Sequence, residues 1–324
     1  MHRHSMVVTV LTALFAAACG VITTPVPPGS TSELYLANNG NNSVTIYAAT
    51  ANGNVAPIRT ISGGSTALNN PLWLALDAAF NLYVTNAAAN SVTVYAVGAG
   101  GNVVPIRTIS GGATGLNGPT GVTLDGAGNI YVANFFPLPM PSHSVTIYAA
   151  GANGNVPPTR TISGAATGLN VPTGVATDGV GTLYVANNGG NTVTVYAPGA
   201  NGNVLPTRTI SGAATGLSGP TGVTLDGAGI LYVTNPAGVN HSVTVYPAGA
   251  DGNTAPTRTI SGGATGLSAP RGVLLDGTGA LYVANGNNSV TVHGAGATGN
   301  AVPIRTIIGA GTGLNNPFGI ALRP

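Results

Sequence analysis

One arginine and one aspartate recur along this chain, and they are the first residues to weigh as chemistry. Arg59, Arg107, Arg160, Arg208, Arg258 and Arg305 form one series. Asp77, Asp125, Asp178, Asp226 and Asp276 form the other, with Arg323 where a sixth would fall. A residue that returns once per unit points in as many directions as there are units, whereas catalysis needs convergence on one spot. The aspartates are expected to cap tight turns through their own side chains. The arginines are expected to cover a face of each unit or to bond neighbouring carbonyls. Calcium in the turns is a poor reading, because a site takes about 6–8 oxygens and each turn offers one carboxylate. What remains is sparse: His143, His241, His293, Glu33 at the edge of the first unit, and Cys19. His143 and His241 fall in comparable loops of non-adjacent units, so they share a metal only across a loop-lined mouth. His293 stands where other units carry Tyr and reads as a packing variant. The expectation is no catalytic set, no metal centre and no cofactor.

The bulk composition agrees. Only 16 of 324 residues are formally charged, nine Arg, six Asp and one Glu, against roughly 25 per cent in ordinary soluble domains. A net charge of +2 leaves no basic surface for nucleic acid. A hydrophobic content of 44 per cent excludes a disordered chain. Mean hydropathy is positive, yet no apolar run reaches the ~18 residues needed to span a bilayer.

The residues that could position a site come in repeats. Tyr35, Tyr83, Tyr131, Tyr184, Tyr232 and Tyr282 mark six units of about 50 residues. In the second unit, Leu82–Thr85, Ser91–Tyr95, Pro105–Ser110 and Gly121–Asp125 are short extended runs separated by Gly, Asn and Pro. Helical periodicity is missing outside the N-terminus. Asn52-Gly53, Asn153-Gly154, Asn201-Gly202 and Asp251-Gly252 suit tight hairpins. Six four-stranded units predict an all-β, six-bladed propeller of antiparallel blades over 33–324. The segment Phe318–Leu322 matches Gly121–Leu124, which the first unit lacks. The C-terminal strand therefore completes the first blade and closes the ring.

The stretch from Pro119-x-Gly121-Val122-x-Leu124-Asp125 to Tyr131-Val132-Ala133-Asn134 resembles the NHL-repeat propellers. Tyr83-Val84-Thr85-Asn86 and Tyr232-Val233-Thr234-Asn235 resemble the YVTN motif of surface-layer-like propellers. The likeness covers about 33 to 322. It implies that the Pro-x-Gly strand is innermost, followed outward by the Tyr, Val-Thr-Val-Tyr and Arg-Thr-Ile strands. Related lactonases and streptogramin lyases would need Glu, Asp or His around a divalent metal at the channel mouth, and no such set is visible. Propellers host many functions, so fold alone decides nothing.

Residues that break the repeat carry more information. The third unit has a long loop, Phe135 to His143, containing Phe136, Leu138 and Met140 among three prolines; the fifth has a shorter one ending at His241. A rigid apolar loop is a candidate contact surface, or else a cover for its own blade. The residue after the inner-strand Pro is Thr120, Thr173 and Thr221 in three units. In the other three, adjacent once the ring closes, it is Arg271, Phe318 and Leu72, with Trp73 replacing the usual Gly. An aromatic, apolar and cationic cluster suits an anionic, planar or sugar-like ligand. The alternative is packing at the seam.

The segment 1–18 reads as an export signal. Ala16-Ala17-Ala18-Cys19-Gly20 resembles a bacterial lipobox, which implies acylation of Cys19, followed by a Pro-, Ser- and Thr-containing tether to 32. An ordinary cleavage site leaving a free thiol is the other reading. The expected protein is an exported, lipid-anchored monomer of the bacterial cell envelope, at the outer membrane or cell surface, or else periplasmic or secreted. Its expected role is non-catalytic binding or scaffolding of an envelope protein or glycan, with membrane contact only through the lipid. A metal-dependent lactonase-like or lyase-like enzyme and a surface-array or adhesion protein are the alternatives.

Overall fold

The computed structural model describes residues 32–135, 143–238 and 241–324. Six four-stranded antiparallel sheets stand around a central axis. The inner strands are Pro71–Leu76, Pro119–Leu124, Pro172–Thr177, Val223–Leu225, Pro270–Leu275 and Pro317–Arg323. The last pairs with Glu33–Asn38, so blade 1 joins the two ends of the chain and the propeller is closed as expected. Each inner strand begins at the Pro-x-Gly end, here called the mouth, and finishes at the Asp turn. The apolar core lies between neighbouring blades, where alternate strand residues such as Val132, Val145 and Tyr196 are fully buried.

The repeated glycine of Pro-x-Gly answers to a close approach. A Cβ on Gly121 would lie 2.3 Å from Thr173 O of the next inner strand. Gly174, Gly222 and Gly272 meet their neighbours in the same way.

The series residues do structural work. Asp125 Oδ1 accepts from the backbone N–H of Ala127 and Asn129, and Oδ2 accepts from the Tyr131 hydroxyl. Arg160 donates to that hydroxyl and to Ala200 O of the next blade. The Asp turn and the Arg-to-Tyr bond recur in blades 2 to 6, and the Tyr-to-Asp bond is made in blades 2, 3 and 6. In blade 1 Arg323 replaces the Asp and the carboxylate comes from Glu33. Glu33 receives two hydrogen bonds from Arg59 and one from Tyr35, and pairs with Arg323 at 3.6 Å. Burial alone would raise the Glu33 pKa, but hydrogen bonds from Arg59 and Tyr35 outweigh it and hold the carboxyl below its ordinary value.

The Asn-Gly pairs are not hairpin turns. They lie in longer third-to-outer-strand loops and stitch each blade to the one before. Gly154 bridges Ile109, and Asn153 Oδ1 accepts from Thr108 N–H. Asp251 takes the same acceptor role toward Thr209. Positive φ at Gly154, +75°, still explains the glycine.

Candidate functional site

Antiparallel connectivity sorts the charges. Outer strands begin, and inner strands end, at the turn end of the ring. Leaving aside Arg3, fifteen charged residues remain. Fourteen belong to the turn end: seven Arg and seven acidic groups. Arg271 alone sits at the mouth.

Arg271 follows Pro270 on the inner strand of blade 6. Its guanidinium carbon lies 4.2 Å from the ring centroid of Phe318 on the neighbouring inner strand. One nitrogen donates to Asn316 Oδ1 at 2.6 Å and to Pro317 O at 3.3 Å. Asn316 donates onward to Asn39, and Asn39 to Asn70, so an amide relay runs from blade 6 across blade 1 to blade 2. No carboxylate meets the guanidinium: among the described residues both ion pairs of Arg and Glu involve Glu33. Burial lowers the Arg271 pKa from its ordinary value. A desolvated cation stacked on an aromatic face, with donors left over, has the chemistry to pair with an acceptor-rich planar group.

The structure divides the rest of the expected cluster. Leu72 is half-buried beside the seam. Phe318 packs against the core cluster that contains Trp73. Trp73 itself is only 6 per cent exposed, and its place is not the mouth surface. It marks the inner end of a cavity of about 650 Å³ that opens at the turn end, walled by residues such as Val122, Val175, Val273 and Ile320. Its backbone N–H donates to Thr85 Oγ1, and the Thr85 hydroxyl donates to Thr120 O of blade 3. Thr234 makes the same bridge between Gly222 and Arg271.

Where the uniform half carries Thr, the hydroxyls are occupied. Thr120 faces Ala133 O and Pro172 O, and Thr173 faces Ala186 O and Pro220 O. His143 likewise has a structural partner. Asn90, Asn191 and Asn288 each accept from the residue before the next inner-strand Pro, and His143 Nδ1 does so toward Val171 N–H at 3.4 Å. Its ring lies 5.9 Å from Phe135. Aligning the residue before each Ser/Thr-Val-Thr run would have revealed that equivalence. His241 holds the corresponding place in blade 5, half-buried. Phe136, Leu138, Met140 and Cys19 lie outside the described residues. No three His, Cys, Asp or Glu side chains gather among those described. His293 is buried, and neither ring nitrogen has a partner.

No family model matches the chain, and no curated protein matches it. Solved structures do, at the level of fold. A protein of unknown function from Bacteroides caccae superposes with a TM-score of 0.66 at 12 per cent identity, over 90 per cent of this chain and 99 per cent of that one. The periplasmic gluconolactonase of Pseudomonas aeruginosa gives 0.59 at 16 per cent, over 91 and 99 per cent. A protein from Lactobacillus plantarum gives 0.56 at 17 per cent, over 91 and 99 per cent. The chain is a six-bladed β-propeller.

Proposed function

We propose that this propeller is a non-catalytic binding module of the bacterial cell envelope, akin to NHL and YVTN propellers and anchored through acylated Cys19. The mouth of blades 6, 1 and 2 takes an acidic glycan or a carboxylate-bearing segment of an envelope protein. The observation that carries this reading is Arg271, the one mouth charge, desolvated against Phe318 without a carboxylate. A carboxylate or ring hydroxyl would reach its remaining donors, and the Asn316–Asn39–Asn70 relay offers amides for neighbouring hydroxyls.

The test is a binding screen of the exported protein against uronic-acid oligosaccharides. Arg271→Gln should weaken binding of a hit by about tenfold or more, the scale of one charge-assisted hydrogen bond in a partly desolvated site. Unchanged affinity in Arg271→Gln and Phe318→Leu would remove the reading. The enzyme alternative has its own assay. Gluconolactone turnover that depends on an added divalent ion would overturn the non-catalytic assignment. Concentration-dependent assembly without ligand would favour the array.

A further inference from the structure

Among the described residues, exposed aliphatic side chains are distributed as unevenly as the charges. Ile58, Val97, Val104, Ile106, Val180, Leu205, Val302 and Ile304 are exposed at the turn end, and Ile308 at the mouth end. Six of these eight form an arc over three consecutive blades: Val302 and Ile304 on blade 6, Ile58 on blade 1, Val97, Val104 and Ile106 on blade 2. Val104 and Val302 are 71 and 70 per cent exposed. The positions of Ile58, Ile106 and Ile304 belong to Thr159, Thr207 and Thr257 in the other blades, and those hydroxyls bond backbone carbonyls. The repeat thus folds with a polar residue there, and the isoleucines are not demanded by packing.

The described chain also enters on this face, at the turn end of blade 1, the centre of the arc. Twelve residues separate Cys19 from Ser32, so a lipid on Cys19 lies within about 45 Å of Ser32, at the centre of the arc, even with the tether extended. The face carries equal numbers of Arg and acidic groups, most of them engaged in the blade pattern. It has the apolar payload of an interfacial surface without a basic patch.

We propose that the turn-end arc of blades 6, 1 and 2 lies against a phospholipid bilayer, its aliphatic side chains among the headgroups and the Arg271 mouth turned away. The inference rests on the reading of Cys19 as the lipid anchor. Attraction is apolar, so zwitterionic lipid suffices and salt has little effect.

The experiment places a tryptophan probe on the acylated chain in phosphatidylcholine vesicles containing brominated lipid, over the constant background of Trp73. Val104→Trp and Ile304→Trp should shift to the blue and lose emission, at low and high salt alike. Ile308→Trp, at the mouth end, should do neither. Adding Ile58→Thr and Ile106→Thr to the Ile304→Trp chain should restore most of its lost emission. Equal or absent quenching at the two ends, with Cys19 shown by mass spectrometry to be acylated, overturns the inference and leaves the anchor standing. If Cys19 proves unacylated the anchor fails. The same quenching measured on that unmodified chain then decides the face, its absence at Val104→Trp overturning the inference. A lipid-free blue shift that grows with protein concentration makes the occupant a second copy and also overturns it.

Discussion

Blades 3, 4 and 5 carry threonines at the mouth and the rim that settle their hydroxyls on backbone carbonyls, and blades 6, 1 and 2 do not. On the first side, Thr120, Thr173 and Thr221 at the mouth and Thr159, Thr207 and Thr257 at the rim all bond backbone carbonyls. On the second, the same places hold Arg271, Phe318 and Leu72, and Ile304, Ile58 and Ile106. His293 replaces a tyrosine in blade 6, Glu33 and Arg323 replace the Asp pattern in blade 1, and Trp73 replaces a glycine in blade 2. A repeat needs only one workable residue per position. Blades 3 and 5 depart chiefly in the loops that end at His143 and His241. The departures clustered on the other half therefore report demands other than folding, except where the seam itself explains them.

Glu33 is the departure the seam explains, and its loss should cost most. Glu33→Asn leaves Arg59 and Arg323 half-buried without an anion, a loss of about 3 kcal/mol, readable in the urea midpoint. Adding Arg323→Asp rebuilds the arrangement of blade 2, where Asn81 and Tyr83 donate to Asp77. That double variant should recover part of the loss. If it recovers none, blade 1 is not a permuted copy of the repeat pattern. The pH dependence has a definite sign. Glu33 is held below its ordinary 4.5, so its contribution is present above about pH 4.5 and is lost as pH falls through the folded value. The Asn variant should lack that slope.

Thr85→Ala comes next. It strands Trp73 N–H and Thr120 O in the interior, which costs about 2 kcal/mol. Blades with Ala at this position, such as Ala133 in blade 3, have no such bridge. Thr234→Ala should cost a similar amount in the regular half. A much larger loss at Thr85 would show that Trp73, not the bridge, makes blade 2 special.

His293→Tyr should move stability the other way. In the other blades the tyrosine hydroxyl donates to a threonine carbonyl, as Tyr148 does to Thr114 O and Tyr246 to Thr215 O. His293 leaves the matching Thr265 O without that donor. Restoring tyrosine should add about 1 kcal/mol at neutral pH. Burial lowers the His293 pKa from the ordinary 6.5. The unfolded chain therefore takes up the proton more readily, and stability falls as pH drops below about 6.5 toward the folded value. The gain from tyrosine should widen over that range when melting is followed from pH 7 to pH 5.5. A gain independent of pH would contradict the buried neutral imidazole.

Much of this was open to reading in the chain itself, because it is local or periodic. The Asp125 turn, the strand after Pro119 and the C-terminal strand's likeness to Gly121–Leu124 need only neighbours in sequence or a shift by one unit. Contacts between units were not legible. Asn153-Gly154 has hairpin chemistry, and only the packing of successive blades turns Asn153 toward Thr108. Glu33 and Arg323 stand 290 positions apart and each looked like a leftover. Trp73 reads in sequence as a mouth residue because it follows Leu72, whereas its buried side chain closes the inner end of the cavity that opens at the turn end. The segregation of charge follows from strand direction, which lifts Arg271 out of a scattered series into isolation.

The smallest effect on stability should come from the substitution that removes the charge of the proposed binding site. Arg271→Thr gives blade 6 the mouth residue of blades 3 to 5, where a hydroxyl can reach carbonyls. It removes a desolvated guanidinium that no carboxylate compensates, so unfolding should change by less than about 0.5 kcal/mol in either direction. Stacking on Phe318 lost with the cation is offset by the lifted desolvation. The uronic-acid binding proposed for the mouth should nevertheless weaken by about tenfold or more, as in Arg271→Gln. A large loss of stability in Arg271→Thr would make the cation a clasp between blades 6 and 1, held by Asn316 and Pro317. The contrast between the two halves would then come down to closing the ring rather than to recognition.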